Sequence, residues 1–335
     1  MCCKKIYLFA LLIVSQLSFS QEGIAVYSDY LSDNLYLLHP SMAGASNCAK
    51  LRVTARKQWF GVEDAPEMQT ASFNSKIGER SGAGMILFND KNGYHSQTGA
   101  KFTYAHHIMF SRDNVDLNQL SFGMSLAFIQ SRLDETEFLN SFGGAYDPTV
   151  NGTIVQKDSY LNFDIGASYN YLEFYAHLTV KNAIETRREI YTEYESDNLR
   201  KVIASAGYTF GNQDQLMWEP SLMYQFTEKT KESAIDVNLK VYKQLDFGKL
   251  WGGLSYRRSF DGAEYLEDAG SLANQKFQSV TPIIGVNVKK FMFSYTYSQI
   301  MGDVRFDTGG YHQLTVGFNL FCRDEKFSCN CPAVN

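Results

Sequence analysis

The segment Gln313-Leu-Thr-Val-Gly-Phe-Asn-Leu320 alternates strictly between apolar residues and small or polar ones. Successive side chains of a β-strand point to opposite faces, so the apolar residues of this segment share one face and the others share the second. Segments near 120–128, 161–166 and 235–241 repeat the pattern, with few large apolar residues on the second face. The sequence therefore predicts an all-β protein.

The same period of two marks fourteen candidate strands. They lie near residues 50–60, 68–77, 80–89, 96–109, 117–130, 159–169, 173–181, 198–210, 215–226, 232–243, 249–259, 276–287, 291–298 and 310–321. The connections that follow even-numbered strands are short. Long connections follow several odd-numbered strands, at 131–158, 182–197, 260–275 and 299–309.

Two architectures are compatible with this alternation. A secreted soluble β-sheet binding protein would also show it, but a sandwich has no reason to alternate short and long connections. Short turns at one end, long loops at the other and an even strand count are typical of outer-membrane barrels. We expect a transmembrane antiparallel β-barrel of about 14 strands in the outer membrane, whose termini and short turns face the periplasm.

Four segments follow from this interpretation. Lys4-Lys5, an apolar run and Ser18-Phe-Ser20 predict a signal peptide over 1–20. A short N-terminal arm spans 21–48, the barrel spans 49–321, and a cysteine-containing periplasmic tail spans 322–335.

Composition excludes some functions. The net charge of −5 makes a nucleic-acid binder unexpected. Aromatic residues make up 14% of the chain, which suits side chains at a membrane–water boundary. No nucleophile elbow, phosphate-binding loop or zinc-protease helix occurs in the sequence. We therefore expect no enzyme and no cofactor.

Charged residues and cysteines are the remaining candidates for specific chemistry. Arg52 and Arg56 share one face of the first strand, and charged groups avoid lipid, so we expect both in the lumen. There they could pair with Asp164 or Asp236, or touch a passenger. The cysteines after the signal, Cys48, Cys322, Cys329 and Cys331, favour a disulfide within the tail, with Cys48 as a further partner for the tail, over a metal site.

A set of motifs near the N-terminus resembles the PorP/SprF membrane proteins of the type IX secretion system of Bacteroidota. The motifs are an arm motif, an Arg-x-Gln-Trp strand, an Ala-Pro turn and an Asp-x-x-Gly hairpin. The residues that carry them are Tyr36, Pro40, Ala43, Gly44, Arg56, Gln58, Trp59, Ala65, Pro66, Asp90 and Gly93. His39, Ser41 and Asp64 depart from the family pattern.

The resemblance implies a barrel that assists secretion and cell-surface attachment of an adhesin-like cargo protein, as in gliding motility. Its partners would be that cargo, other type IX components and outer-membrane lipid. The alternative is a passive or fatty-acid-porin-like channel. We expect the arm to fold into the lumen or across its mouth as a partial plug, or else only to initiate the barrel.

Overall fold

Fifteen strands form one sheet. The computed structural model describes residues 34–58, 65–111, 116–134, 155–186, 200–212, 215–266, 272–301, 310–323, 329 and 331, with the backbone alone for 261–266 and 272–275. The strands are β1 Ala49–Gln58, β2 Glu67–Lys76, β3 Ser81–Asn92, β4 His95–Met109, β5 Asn118–Asp134, β6 Val155–Tyr171, β7 Phe174–Lys181, β8 Lys201–Tyr208, β9 Phe210–Gly211, β10 Met217–Thr227, β11 Ser233–Leu245, β12 Gly248–Leu266, β13 Leu272–Val288, β14 Phe291–Met301 and β15 Tyr311–Leu320.

The sheet closes on itself. Neighbouring strands pair antiparallel, and the last strand pairs with the first along its whole length, from Ala49 opposite Leu320 to Gln58 opposite Tyr311. The short strand β9 continues β8 beyond Thr209, and both pair with β10. The two therefore make one crossing, and the prediction of a barrel of about 14 strands is confirmed. Closure removes the two free edges of an open sheet over the lengths at which the described strands pair.

The strands turn most of their large apolar side chains outward, which is the reverse of a soluble protein. On β5, Phe122 and Phe128 are 48% and 51% exposed, whereas Ser121 and Ser125 are 0% and 3% exposed. The same alternation runs through most of the other strands. The wall is thus apolar outside and lined mainly by serine, threonine, asparagine, glycine and a few charges inside, as the strand pattern predicts. It also carries more large apolar side chains inside than the pattern predicts, among them Met223, Trp251 and Met292.

The two rims differ. Short connections at 77–80, 172–173, 246–247 and 289–290 lie at the end where β1 begins and β15 ends. We call this the short-turn end, and the opposite rim the long-loop end. Outward aromatic side chains ring the short-turn end: Tyr169, Tyr171, Phe174, Tyr208, Phe210 and Phe291. Aromatic side chains at the end of a barrel are typical of the membrane–water boundary.

One predicted loop is wrong. Residues 260–275 were expected to connect two strands, but β12 continues to Leu266 and β13 begins at Leu272, with Gly262 opposite Lys276. An irregularity between Arg258 and Gly262 shifts the register. Four positions of β12 (258 to 262) stand against two of β13 (278 to 276), so two extra residues interrupt the pairing. The segment 259–266, Ser-Phe-Asp-Gly-Ala-Glu-Tyr-Leu, also has no regular apolar–polar alternation, so the pattern could not reveal this extension. At the same rim, β3 and β4 join through Gly93-Tyr94, with Gly93 at φ 59°.

Within the described residues, no helix has the length and apolar character needed to cross a membrane.

Candidate functional site

The arm before β1 lies inside the barrel. Its described part begins at Asn34 and contains a single helical turn, α1 Leu35–Leu38, and a 3-10 turn, Pro40–Met42. The His39 N–H donates to the Leu35 carbonyl at 2.8 Å, and the Ala43 N–H donates to the Pro40 carbonyl at 3.2 Å. Pro40 begins the 3-10 turn, where its missing N–H costs no hydrogen bond.

Polar side chains of the inner wall hold this arm on one side. The Tyr36 hydroxyl donates to Thr103 Oγ1 at 2.8 Å. The Gly44 N–H donates to Asn74 Oδ1 at 3.1 Å, and Lys181 Nζ donates to the Leu37 carbonyl at 2.9 Å. Burial raises the pKa of the Tyr36 phenol, so this group stays a neutral donor. The arm therefore satisfies its polar groups against the wall.

His39 is the centre of a second set of contacts. Its Nδ1 lies 2.9 Å from Thr179 Oγ1, and its Nε2 lies 3.1 Å from Ser205 Oγ. Its ring stacks on that of His177 with the centroids 4.7 Å apart. Burial, the neighbouring His177 and Lys181 hold the pKa of His39 well below its usual range. A neutral imidazole offers one donor and one acceptor, which the two hydroxyls can match.

Two further polar contacts continue the arm's binding surface. Ser41 Oγ lies 2.5 Å from Ser168 Oγ, and His107 Nε2 lies 3.1 Å from the Ala43 carbonyl oxygen. His107 is buried on the inner face of β4, whereas His106 is exposed on the outer face. Adjacent strand residues face opposite ways, as expected for this pair.

Glycines of the wall let the arm backbone approach closely. A Cβ atom at Gly82 would overlap the Ala43 carbonyl group, and one at Gly123 would overlap the carbonyl group of Pro40. Gly166, which pairs with Gly123, lies beneath the Pro40 ring. The arm therefore occupies a groove that exists only because these wall positions carry no side chain.

An apolar contact fixes the arm on its other side. Leu38 is 1% exposed and packs in a cluster with Ile203, Met217, Met223, Tyr242, Trp251, Ile283 and Met292. These residues come from six strands on the opposite part of the wall. The arm thus bridges the lumen instead of lying along one side of it.

The four predicted lumenal charges all point inward and are buried: Arg52, Arg56, Asp164 and Asp236. Their partners differ from the pairs considered from sequence. Asp164 accepts from Lys101 Nζ at 2.7 Å, and Asp236 accepts from Arg257 Nε and Nη2, both at 2.6 Å. Arg56 donates to Gln313 Oε1, and Arg52 to the carbonyl oxygen of Phe318 and to Asn319 Oδ1. Asp164 lies on β6 and Asp236 on β11. Each carboxylate pairs with a basic side chain of a nearby strand, Lys101 of β4 and Arg257 of β12.

We expect Arg257→Met to lower the free energy of unfolding by about 3–5 kcal/mol, because it would leave the Asp236 carboxylate buried without this cation. Urea unfolding of the reconstituted barrel measures the change. The matched double variant, Asp236→Asn with Arg257→Met, should recover most of the loss. Equal destabilisation by the single and double variants would contradict this account of the pair.

A cluster that sequence reasoning missed lies near the short-turn end. Glu219 accepts hydrogen bonds from the Tyr175 hydroxyl at 2.6 Å and from the Tyr242 hydroxyl at 2.5 Å. Lys240 Nζ lies 3.3 Å from the same Tyr242 hydroxyl and 5.7 Å from the Trp251 ring centroid. The signal in the sequence for this cluster was the position of Glu219, which faces inward in the alternation of β10. The cluster fixes four strands around Leu38.

Disulfides close the short-turn end. Cys48, at the end of the arm, pairs with Cys322, just after β15. Cys329 and Cys331 pair with each other and pack on Leu117. The tail therefore reaches from β15 to the turn region between β4 and β5. In the part of the chain that the structure covers, no group of three or more His, Cys, Asp or Glu could hold a metal ion.

The other motif residues lie at the long-loop end of the barrel. Gln58 ends β1, and its N–H donates to the Pro66 carbonyl at 2.9 Å. Ala65 and Pro66 are buried just before β2. Asp90 belongs to β3, three residues before Gly93 of the turn. Trp59 and Asp64 lie outside the described residues.

These features define a class of protein. A closed antiparallel barrel with an apolar outer wall, a polar inner wall and an aromatic ring is an outer-membrane β-barrel. A family model for the type IX secretion system membrane proteins PorP/SprF matches residues 19–318. The chain belongs to this family.

Solved structures align with the chain at low identity, and the first one described here has the same fold. A Pseudomonas aeruginosa FadL homologue aligns with a TM-score of 0.50 and 9% identity, covering 86% of this chain and 94% of that chain. The CymD monoaromatic hydrocarbon channel aligns with a TM-score of 0.49 and 9% identity, covering 88% of this chain and 94% of that chain. No curated protein matches the sequence.

Proposed function

We propose that this barrel assists the secretion and cell-surface attachment of an adhesin-like cargo protein by the type IX system, and that the cargo does not pass through its lumen. Family membership supports the first part. The arm supports the second, because it bridges the lumen between Thr103 on one side and the apolar cluster around Leu38 on the other. The barrel then acts beside the translocation pore, as a receptor or anchor.

The orientation assigns surfaces to partners. Outer-membrane barrels place short turns in the periplasm and long loops outside the cell. The long-loop end is then the surface for the secreted cargo. The short-turn end, where the Cys48–Cys322 disulfide and the tail lie, is the surface for periplasmic components of the secretion system.

A fatty-acid-porin-like role is less compatible with the lining. An apolar solute needs an apolar path, since polar groups stripped of water must otherwise be left without partners. The inner wall carries buried hydroxyl and amide groups on nearly every strand, among them Ser72, Thr103, Ser205 and Thr315. The inward apolar cluster is itself packed against Leu38 of the arm, so an apolar solute would have to displace the arm to use it.

Deletion of the gene tests the attachment role. We expect one or a few surface proteins to appear in the medium or to accumulate inside the cell, while uptake of small solutes stays unchanged. A variant carrying Arg258→Gln, a change on the outer wall, serves as the control for complementation. Unchanged protein location together with reduced solute uptake would favour the channel alternative and refute the proposal.

A crosslink tests the role of the arm. Ser41→Cys with Ser168→Cys should form a disulfide, since the two hydroxyl oxygens are 2.5 Å apart. Cells with the oxidised crosslink should attach cargo as well as cells with the matched Ser41→Ala, Ser168→Ala variant. Loss of attachment that a reductant restores would show that the arm must move, and would contradict a closed lumen.

A further inference from the structure

A row of basic side chains crosses the outer wall near the long-loop end. We call Lys57, Lys91, Arg132 and Lys157 the basic row. They occupy one continuous line of cross-strand neighbours: Lys57 pairs with Glu67, Glu67 with Lys91, Lys91 with Ser96, Ser96 with Arg132 and Arg132 with Lys157. The row thus spans the first six strands, β1 to β6.

All four side chains point away from the lumen. On β5, Arg132 has the same parity as the outward Phe122 and Phe128. Lys157 has the parity of the outward Leu161 on β6. Lys57, Arg132 and Lys157 are exposed, and Lys91 is half-buried. The row therefore faces what surrounds the barrel.

The depth of the row follows from the residues below it. The apolar stretch of β5 runs from Leu120 to Phe128, about the length that a tilted strand needs to cross the hydrocarbon core. The next outward line begins with Ala55 and continues with uncharged polar residues: Gln69, Asn89, Thr98, Gln130 and Ser159. Arg132 lies four residues beyond Phe128, which is roughly 13 Å along the strand and about 10 Å along the membrane normal. This is the depth of lipid headgroups.

The charges of the row call for an anion. Arg132 and Lys157 are directly opposite each other, and like charges in this position are destabilising. Asp134 partly offsets them, with its Oδ2 at 2.7 Å from Arg132 Nη2. Glu67 lies between Lys57 and Lys91 in the line. Among the described outward residues of this line the basic side chains outnumber the carboxylates, four to two, and arginine and lysine bind phosphate well.

We propose that the basic row binds the phosphate groups of a phosphorylated glycolipid in the outer leaflet. The apolar band below would contact the acyl chains, and the row would hold the phosphates at the height where the headgroup begins. The proposal depends on the orientation of the barrel in the outer membrane and not on the cargo.

Binding to a defined lipid tests the proposal. The full mature chain is reconstituted in phosphatidylcholine nanodiscs, and its affinity for added bisphosphorylated lipid A is measured. Each basic residue near an anionic surface contributes about fivefold. We therefore expect Arg132→Gln with Lys157→Gln to weaken binding about thirtyfold, and Lys157→Gln alone to weaken it about fivefold.

Controls distinguish this site from a general charge effect. Arg258 on β12 is also outward and basic, but its cross-strand neighbours are Ile235 and Gln278, so Arg258→Gln should leave the affinity unchanged. Dephosphorylated lipid A should bind no better to the wild type than to the double variant. Equal weakening by Arg258→Gln, equal binding of the dephosphorylated lipid, or displacement of the lipid by millimolar inorganic phosphate would each overturn the proposal. Heat-modifiable gel mobility verifies that every variant is folded.

Discussion

Replacement of Gly123 by valine is expected to expel the arm and convert the closed barrel into an open pore. The new side chain would occupy the place of the Pro40 carbonyl group and the Ser41 amide. The cross-strand neighbour of Gly123 is Gly166. Because protein interiors are closely packed, we expect neither the arm backbone nor the closed wall to move aside by the width of a valine side chain. The barrel itself should fold, since the change faces only the lumen.

A barrel of this size would not collapse when the arm leaves. Barrels of about 8 strands are filled by their own side chains, whereas those of 16–18 strands enclose water-filled channels. With 14 crossings and many serine, threonine and glycine residues facing inward, this lumen lies nearer to the second class. We expect the conductance of single channels in planar bilayers to rise from near zero to that of a water-filled pore, and cells to become sensitive to large hydrophilic antibiotics.

The matched control is Gly252→Ala on the outer face of β12, where a Cβ would meet the Ile283 carbonyl oxygen at an ordinary 3.4 Å. The barrel of the Gly252→Ala variant should remain closed by its arm. A variant lacking residues 34–45 should conduct like Gly123→Val. If Gly123→Val stays closed and its arm still crosslinks through cysteines at positions 41 and 168, the close-approach account of the groove is wrong.

Loss of the Cys48–Cys322 disulfide should cost about 2–5 kcal/mol of unfolding free energy. The two cysteines are 274 residues apart, so the bond closes nearly the entire barrel into a loop. In the chain-entropy account, a crosslink that closes a long loop restricts the unfolded chain most. Cys48→Ser with Cys322→Ser therefore unfolds at lower urea concentration under oxidising conditions.

The second disulfide provides the internal control. Cys329 and Cys331 are two residues apart, so replacing both by serine should change the unfolding free energy much less. A reductant should abolish the difference between wild type and the Cys48, Cys322 variant. An unfolding midpoint that does not respond to removal of Cys48 and Cys322 would show that pairing of β1 with β15 alone fixes the ends of the barrel.

The strands were predictable because their alternation is local. On β5, the order of Leu120, Phe122 and Met124 between small or polar residues specifies the outward face without knowledge of any neighbour. The same logic placed Arg52, Arg56, Asp164 and Asp236 on strands that carry them inward. It failed over 260–275, where the sequence has no regular alternation and the pairing of β12 with β13 is interrupted.

The contacts of the arm were not predictable in the same way. Tyr36 is 67 residues from Thr103 along the chain, and His39 is 140 residues from Thr179. Such pairs depend on how far each strand slides past the next, which no local pattern records. The groove also exists because positions 82, 123 and 166 are glycines, which have no side chain to fill it. His39 and Ser41, which depart from the family motif, are the arm residues whose side chains bind the wall by hydrogen bonds near Pro40.

The bond between Cys48 and Cys322 has a consequence for the order in which the barrel closes. Among the described strands, its two ends flank the place where strands distant in sequence meet, between β1 and β15. Once oxidised, the protein is a covalent hoop that can no longer part at that place on its short-turn side. We therefore expect the bond to form after the first and last strands have paired, because a crosslink made earlier would restrict how the two strands approach each other.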